Sequence, residues 1–244
     1  MKKSKIEDHF KELKQRIITA FFAYVASSCI TFQYASEIND FLLKPLSQIA
    51  IENRSHRRLI FTGLAEGFLN HIHIGMYSGF ILAFPIIAWQ IYFFIAPGLY
   101  RSEKKVIIPF FIASPLLFII GSALAYYYLI PSAWRFFLSF EQHGNIPILL
   151  EARISEYLST VLEIVIGFGI AFQLPLIMII LVKLGILTTY TLSSKRKYAI
   201  VAIFIIAAIL TPPDVFSQIS LAIPLLLLYE ISLLICHKFE NKKE

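Results

Sequence analysis

The stretch AAILTPPDVFSQISLAIP, residues 207–224, breaks the most hydrophobic part of this chain with two adjacent prolines and an aspartate. Apolar residues run up to the break and resume directly after it, without the alternation of a soluble strand or the stripe of a soluble helix. Proline presets its own backbone angle for a turn, and an aspartate behind it can cap the next helix. The stretch therefore predicts a tight turn between two apolar helices.

The rest of the chain has a similar composition. Of its 244 residues, 57% are hydrophobic and 16% are charged, and the mean hydropathy is +0.70. Soluble proteins carry about a quarter charged residues. Apolar runs of about 20 residues match the ~30 Å hydrocarbon core of a bilayer. We predict an all-α integral membrane protein, one membrane domain over residues 1–244, with six spans at 17–34, 72–95, 106–130, 158–182, 198–210 and 215–236.

The distribution of basic residues predicts the orientation. Sixteen of the 22 Lys and Arg residues lie in the N-terminal segment, in the loops after spans 2 and 4, and in the C-terminal tail. An excess of basic residues marks cytoplasmic loops, so both termini are expected in the cytoplasm. The net charge of +6 is then a signal of topology and not of nucleic-acid binding. The long loop 36–70 falls outside, where it is expected to form a folded cap.

Span 5 is too short for an ordinary bilayer. Residues 198–210 reach only about 20 Å as a helix, against a core of ~30 Å. If span 6 matches it in length, Glu230 lies near the cytoplasmic edge rather than in lipid. A pair of short helices implies a locally thinned bilayer or a protein neighbour that covers them.

The chemistry of an enzyme is missing from the sequence. No metal-binding motif, phosphate-binding glycine pattern or pair of carboxylates within one span occurs, and the two cysteines suggest neither a disulfide framework nor a metal site. We expect no cofactor, no metal and no enzymatic activity. Glu163 and Glu230 leave one alternative open, a secondary transporter of a small cation, because charged residues in spans are functional candidates by default.

Two carboxylates on the cytoplasmic side are candidates for binding a cation. Glu12 lies on a predicted helix leading into span 1, opposite an apolar face formed by Ile6, Phe10, Leu13 and Ile17. Glu103 lies among basic residues in the loop after span 2. A guanidinium is the ligand that carboxylates bind best, in two parallel hydrogen bonds. The alternatives stay open at this point, because Glu12 can simply pair with Arg16 and Glu103 can be neutralised by its neighbours.

Four segments resemble the TatC family, the polytopic core of the twin-arginine protein translocase. HFKELKQRI (9–17) is similar to the family pattern H-L-x-E-L-R-x-R-L, and FFIAPGLYRSEKK (93–105) matches F-x-x-P-G-L-x-x-x-E-[RK]. FGIAFQLP (168–175) and LTPPDVFSQ (210–218) complete the set, and the last is the most specific. Together with six spans, the resemblance covers essentially the whole chain.

The resemblance implies a receptor in a bacterial cytoplasmic membrane that binds twin-arginine signal peptides of folded cargo. It implies work with single-span partners similar to TatA and TatB, driven by the proton-motive force, and self-association in a larger complex. It also implies a cupped helical bundle with short helices 5 and 6. The signal-peptide site would comprise Glu12, Glu103, Phe94, Pro97, Leu99, Arg16, Lys14 and Phe10. Partner helices would dock at Gln173, Thr211, Pro212, Asp214 and Gln218.

The sequence departs from the family pattern at three of these positions. Phe10 replaces leucine and keeps an apolar contact. Lys14 replaces arginine, which weakens any bidentate contact there. Gln173 stands where many members have a glutamate, so it can bond to a partner helix but cannot titrate. A third possibility, a scaffold that organises single-span partners without binding signal peptides, would require the four motifs to be coincidental.

Overall fold

The structure, a computed structural model, describes residues 2–52, 59–98, 101–143, 147–148, 150–210 and 215–240. These residues form helices α1 (Lys2–Gln33), α2 (Ala35–Glu52), α3 (Glu66–Ile95), α4 (Arg101–Leu124), α5 (Ile130–Leu138), α6 (Ile154–Ala171), α7 (Leu174–Lys183), α8 (Thr189–Ser194), α9 (Arg196–Leu210) and α10 (Val215–Glu240). A 3₁₀ turn at Ala96–Gly98 follows α3, and a π-helical turn at Ala125–Leu129 joins α4 to α5. Two short strands, β1 (Gln142–His143) and β2 (Pro147–Ile148), pair antiparallel.

Five helical segments in the described part of the chain are long and apolar enough to cross a membrane. They are His9–Gln33, Glu66–Gly98, Ile108–Leu138, Ile154–Lys183 and Gln218–Lys238. Each contains most of a predicted span, so the mostly helical membrane architecture is confirmed. The remaining predicted span corresponds to α9, whose 15 residues reach about 22 Å.

Prolines explain why predicted spans 3 and 4 are not single straight helices. Span 3 was expected to end at residue 130, but helix continues to Leu138 because the π turn lets Pro131 begin α5. Span 4 was expected to be continuous over 158–182, but α6 ends at Ala171 and α7 begins at Leu174. Proline has no N–H and its ring clashes with the carbonyl four residues earlier, so Pro175 interrupts the helix.

One further expectation needs correction, and another becomes more specific. The expected short sixth helix is wrong, because α10 has 26 residues and continues through Pro224 beyond the apolar run. The loop 36–70 was expected to fold as a cap of unspecified structure. Helix α2, of 18 residues, begins at Ala35 and occupies about the first half of this loop, and residues 53–58 of the loop lie outside the described residues.

Helix α6 lies at the centre of the bundle and packs against α3 and α4. Two-thirds of the span formed by α6 and α7 is buried (67%), against 11% of the span in α1. Tyr157 and Phe168 of α6 and Phe118 of α4 are among the largest fully buried side chains. The most buried of the five candidate spans is therefore also the most apolar one.

Small residues let α1 and α3 approach closely. Gly75 and Gly79 lie one turn apart on α3, and a Cβ atom at Gly79 would lie 2.3 Å from Ser28 Oγ and 2.6 Å from Ser28 Cα. The Thr31 hydroxyl donates to the Gly75 carbonyl at 2.7 Å. Within lipid, helices associate by close packing and interhelical hydrogen bonds, since apolar surface gains nothing by leaving lipid. This seam fixes the position of α1.

Helix α2 closes one end of the bundle, which we call the capped face: α2, residues 59–66 and the first turn of α6. Pro45 has no N–H, so the Phe41 carbonyl lacks its partner within α2. The Tyr126 hydroxyl donates to that carbonyl, and the Tyr157 hydroxyl donates to the Leu42 carbonyl at 2.6 Å. The proline thus creates an acceptor that ties α2 to the bundle.

Candidate functional site

The opposite end of the bundle holds the described part of the candidate site. We call it the N-face: His9, Glu12, Arg16, Gln90, Phe93 and Phe94, where the start of α1 meets the end of α3. Arg16 joins the two helices, with one guanidinium nitrogen 3.5 Å from the Glu12 carboxylate and the other donating to the Gln90 side-chain oxygen at 3.5 Å. Its guanidinium carbon lies 4.8 Å from the centre of the Phe93 ring.

Aromatic rings form the rest of the N-face. The His9 imidazole stacks on the Phe94 ring, with centroids 4.7 Å apart and planes 22° apart. Tyr92, next to Phe93, is buried and lies 5.2 Å from the Phe111 ring of α4. Pro97 in the 3₁₀ turn is exposed. The rings therefore anchor the end of α3 to α1 and α4 and leave the turn accessible.

Glu12 retains capacity for a ligand. Its side chain is about one-third exposed (30%), and Arg16 contacts one of its oxygens, at the outer limit of hydrogen-bonding distance. A second guanidinium could displace that contact, since Arg16 would keep Gln90 and the Phe93 ring. Bidentate binding of an arginine side chain is what this arrangement can do chemically.

The expected orientation of the start of α1 is wrong. Glu12 and Arg16 were expected on the wet face, away from an apolar face with Phe10 and Ile17. In the structure Arg16 lies against α3, whereas Phe10 and Ile17 are exposed by 66% and 58%. The pattern is inverted because lipid accepts apolar side chains, so a membrane helix does not have to bury its apolar face. Lys14 is exposed.

Several predicted site residues cannot be placed. Leu99, Thr211, Pro212 and Asp214 lie outside the described residues, as does the side chain of Glu103, whose backbone belongs to the first turn of α4. Whether Glu12 and Glu103 lie close together thus stays a prediction.

Gln173 is buried at the break between α6 and α7. Its side-chain oxygen accepts from the Ser114 hydroxyl at 2.7 Å, and its amide nitrogen donates to the carbonyls of Ser114 at 3.1 Å and Gly169 at 3.3 Å. These bonds join α4 to α6 inside the bundle. The carboxamide is therefore already satisfied without a partner chain.

The residues at α9 and α10 have different surroundings. The Gln218 amide nitrogen donates to the Phe204 carbonyl at 3.1 Å and joins the two helices. Glu230 forms an ion pair with Arg196 at 3.1 Å. Glu163 is exposed on α6. Within the described residues, no group of three or more His, Cys, Asp or Glu side chains could hold a metal ion.

Sequence reasoning did not select His9, Gln90 or Phe93, all of which contact the predicted site residues. Gln90 carried a usable signal, since it is a lone amide in the apolar run 86–95. A polar residue within such a run needs a partner on another helix. His9 and Phe93 gave no signal in the sequence beyond their places in the quoted motifs. A single sequence does not show which aromatic rings stack on each other.

The long apolar helices define a mostly helical, polytopic membrane protein. Residues 8–224 match the family model described as Sec-independent protein translocase protein (TatC). The chain belongs to the TatC family.

Relatives match over the full chain. The chain is 47% identical to the Sec-independent protein translocase protein TatC of Rickettsia prowazekii (strain Madrid E) over 244 residues, which is 100% of this chain and 96% of that protein. It is 38% identical to the TatC protein of Aquifex aeolicus (strain VF5), covering 98% and 97% of the two chains. A crystal structure of the twin arginine translocase receptor TatC in DDM superposes with a TM-score of 0.83 at 38% identity, covering 93% of this chain and 99% of that one.

Proposed function

We propose that this chain is the signal-peptide receptor and core subunit of a Sec-independent translocase, which exports folded proteins using the proton-motive force. The observation that carries the proposal is the N-face, where a partly exposed Glu12 pairs with an arginine that also contacts Gln90 and the Phe93 ring. The solved structure that this chain resembles is described as a twin arginine translocase receptor, which supports the same ligand class.

We propose that the N-face is cytoplasmic and that α9 is a sixth, short span, so that both termini are in the cytoplasm of a bacterial cell. The excess of basic residues at this end supports the orientation. Signal peptides reach the receptor from the side where cargo folds. Glu12, Glu103 and the loop with Pro97 and Leu99 then receive the peptide, and Arg16 positions Glu12.

Single-span partners similar to TatA and TatB dock along α9 and α10 in this proposal. Ile205 and Ile209 of α9 are exposed, and Gln218 fixes α10 against α9. Thr211, Pro212 and Asp214 belong to the same proposed surface. Gln173 acts here by holding α4 and α6 together, because its hydrogen bonds are internal.

The cation-transporter alternative receives no support. Glu230, one of its two carboxylates, is paired with Arg196. The family model and the relatives that match this chain are translocase proteins.

The test is the affinity of the purified protein, with partner subunits restored, for a twin-arginine signal peptide and its twin-lysine analogue. We expect the arginine peptide to bind more tightly, and Glu12→Ala and Glu103→Ala each to weaken it about tenfold or more, the effect of a lost charge-assisted hydrogen bond.

Glu156→Ala is the matched control. Glu156 also pairs with an arginine of its own helix, Arg153 at 3.7 Å, but it lies at the capped face, so its loss should leave affinity unchanged. Equal binding of both peptides, or equal effects of Glu12→Ala and Glu156→Ala, would contradict the proposal.

A further inference from the structure

An apolar groove runs down the outside of the bundle below α2. Its volume is about 520 Å³, and its walls come from α2, α3, α4, α6 and the π turn. Phe41, Leu82, Ile119 and Tyr127 on its rim are exposed, so the groove opens sideways. Because this side of the molecule faces lipid and the walls are apolar, the medium that meets the groove is hydrocarbon chain rather than water.

A proline on α3 and the π turn after α4 both border the groove. Pro85 lines the wall from α3, and proline prevents a regular hydrogen bond to the carbonyl four residues earlier. The π turn supplies Tyr126 and Tyr127 from the other side. Such π turns are frequent at functional sites.

A lysine stands at the end of the groove. The Lys44 ammonium lies 5.5 Å from the centre of the Phe41 ring, and that ring stacks on Tyr126 with centroids 4.5 Å apart. Both aromatic rings line the groove. Lys44 is exposed and makes no ion pair with any residue in the described ranges, Asp40 one turn earlier included. Its charge is available to a ligand that enters the groove.

We propose that this groove binds one phospholipid of the leaflet at the capped face, with an acyl chain in the groove and the phosphate on Lys44. The apolar walls alone would give no preference, because lipid tails are as apolar as the side chains. The preference for an anionic phospholipid comes from Lys44, since a lysine near lipid headgroups attracts their negative charge. The bound lipid fills the space between α2 and α3 and so supports the capped face.

The experiment is native mass spectrometry of the purified full-length chain, mixed with phosphatidylglycerol or with an uncharged galactolipid of the same acyl chains. We expect one phosphatidylglycerol to be retained per chain, with an affinity about fivefold higher than that for the galactolipid. This is the gain in affinity expected from one lysine near lipid headgroups. Lys44→Gln should remove the difference and Lys44→Arg should keep it.

Lys197→Gln is the matched control for charge. Lys197 also lies over an aromatic ring, Tyr198 at 5.2 Å, but it is not at the groove, so its loss should leave lipid retention unchanged. Ala123→Trp tests the groove itself, because it places an indole against the wall that the acyl chain would occupy. Leu82→Trp at the exposed rim serves the same purpose if Ala123→Trp fails to fold.

Four outcomes would overturn the proposal. They are equal retention of the two lipids by the unaltered chain, unchanged retention in Lys44→Gln, equal losses in Lys44→Gln and Lys197→Gln, and full retention in a folded groove-filling variant. Dimers in place of bound lipid, lost in Ala123→Trp but kept in Lys44→Gln, would assign the groove to a second copy of the chain and also overturn it.

Discussion

The two ends of the bundle are held in different ways. At the capped face, hydrogen bonds to backbone carbonyls join distant segments: the Tyr157 hydroxyl donates to the Leu42 carbonyl at 2.6 Å, and the Tyr126 hydroxyl donates to the Phe41 carbonyl. At the N-face, the described contacts of Arg16 are long, at 3.5 Å, and run between side chains.

The difference indicates that the two ends of the bundle are suited to different roles. Backbone acceptors cannot change their position without unfolding a helix, so the capped face is fixed. Side-chain contacts on partly exposed residues contribute little stability and exchange easily. The proposed binding of signal peptides of different sequence at the N-face needs the second kind of contact, supported by a rigid body behind it.

The largest effect is expected at the seam that connects the two ends. Gly79→Leu places a side chain where even a Cβ atom would lie 2.6 Å from Ser28 Cα. We expect a loss of about 3 kcal/mol or more in the free energy of unfolding, at the upper end for overpacked sites. Peptide affinity should fall as well, because α1 carries Glu12. The measurement is a denaturant titration in detergent.

Gly63→Ala is the control for this change, since a Cβ atom there meets nothing within 4 Å. A stable Gly79→Leu protein with unaltered peptide binding would show that α1 does not depend on close packing against α3.

An intermediate effect is expected at the cap. Tyr126→Phe leaves the Phe41 carbonyl without a donor, which should cost about 1–3 kcal/mol. In a Pro45→Ala background, the new N–H at residue 45 can bond to that carbonyl within α2. The same tyrosine substitution should then cost clearly less, as measured by unfolding the four proteins of the cycle.

Tyr127→Phe serves for comparison, because the adjacent Tyr127 ring is 70% exposed. If Tyr126→Phe costs the same in both backgrounds, Pro45 does not create the acceptor that Tyr126 satisfies.

The smallest effect on stability is expected at the N-face. Arg16→Gln removes an ion pair that is about one-third exposed and a contact with the Phe93 ring, each worth up to about 1 kcal/mol at exposed sites. The free energy of unfolding should change by about 1 kcal/mol, whereas signal-peptide affinity should fall because Glu12 loses its support.

Arg153→Gln, at the capped face, removes a comparable pair with Glu156 and should leave peptide affinity unchanged. If Arg16→Gln destabilises the protein as much as Tyr126→Phe does, the contrast between the two faces fails.

The apolar helices could be predicted from the sequence because lipid imposes a length and a composition on each span. Glu12 and Arg16 were selected correctly as neighbours, since their spacing of four places them on one side of a helix. The interruption at Pro175 and the orientation of Phe10 could not be predicted as easily. Both depend on which helix lies alongside, and the composition of a single helix does not reveal its neighbour.

Helix α2 shows the same limit. Its apolar residues Ile38, Leu42, Leu46 and Ile49 recur at helical spacing, but the internal Pro45 weakens the helix signal. Hydrogen bonds from Tyr126 and Tyr157 hold α2 against the bundle. Contacts between residues so far apart in the sequence cannot be predicted from a short stretch of it. The same holds for Gln173 and Ser114, which lie 59 positions apart.

The tyrosine bonds to α2 also bear on the order in which the protein is assembled. Tyr126 follows the carbonyl that it satisfies by 85 positions, and Tyr157 follows its own by 115. A chain is synthesised from its N-terminus, so α2 emerges long before either hydroxyl exists. The Phe41 and Leu42 carbonyls therefore lack these donors until the chain up to Tyr157 has been made. The cap is therefore complete only after the π turn that follows α4 and the first turn of α6 have packed against α2.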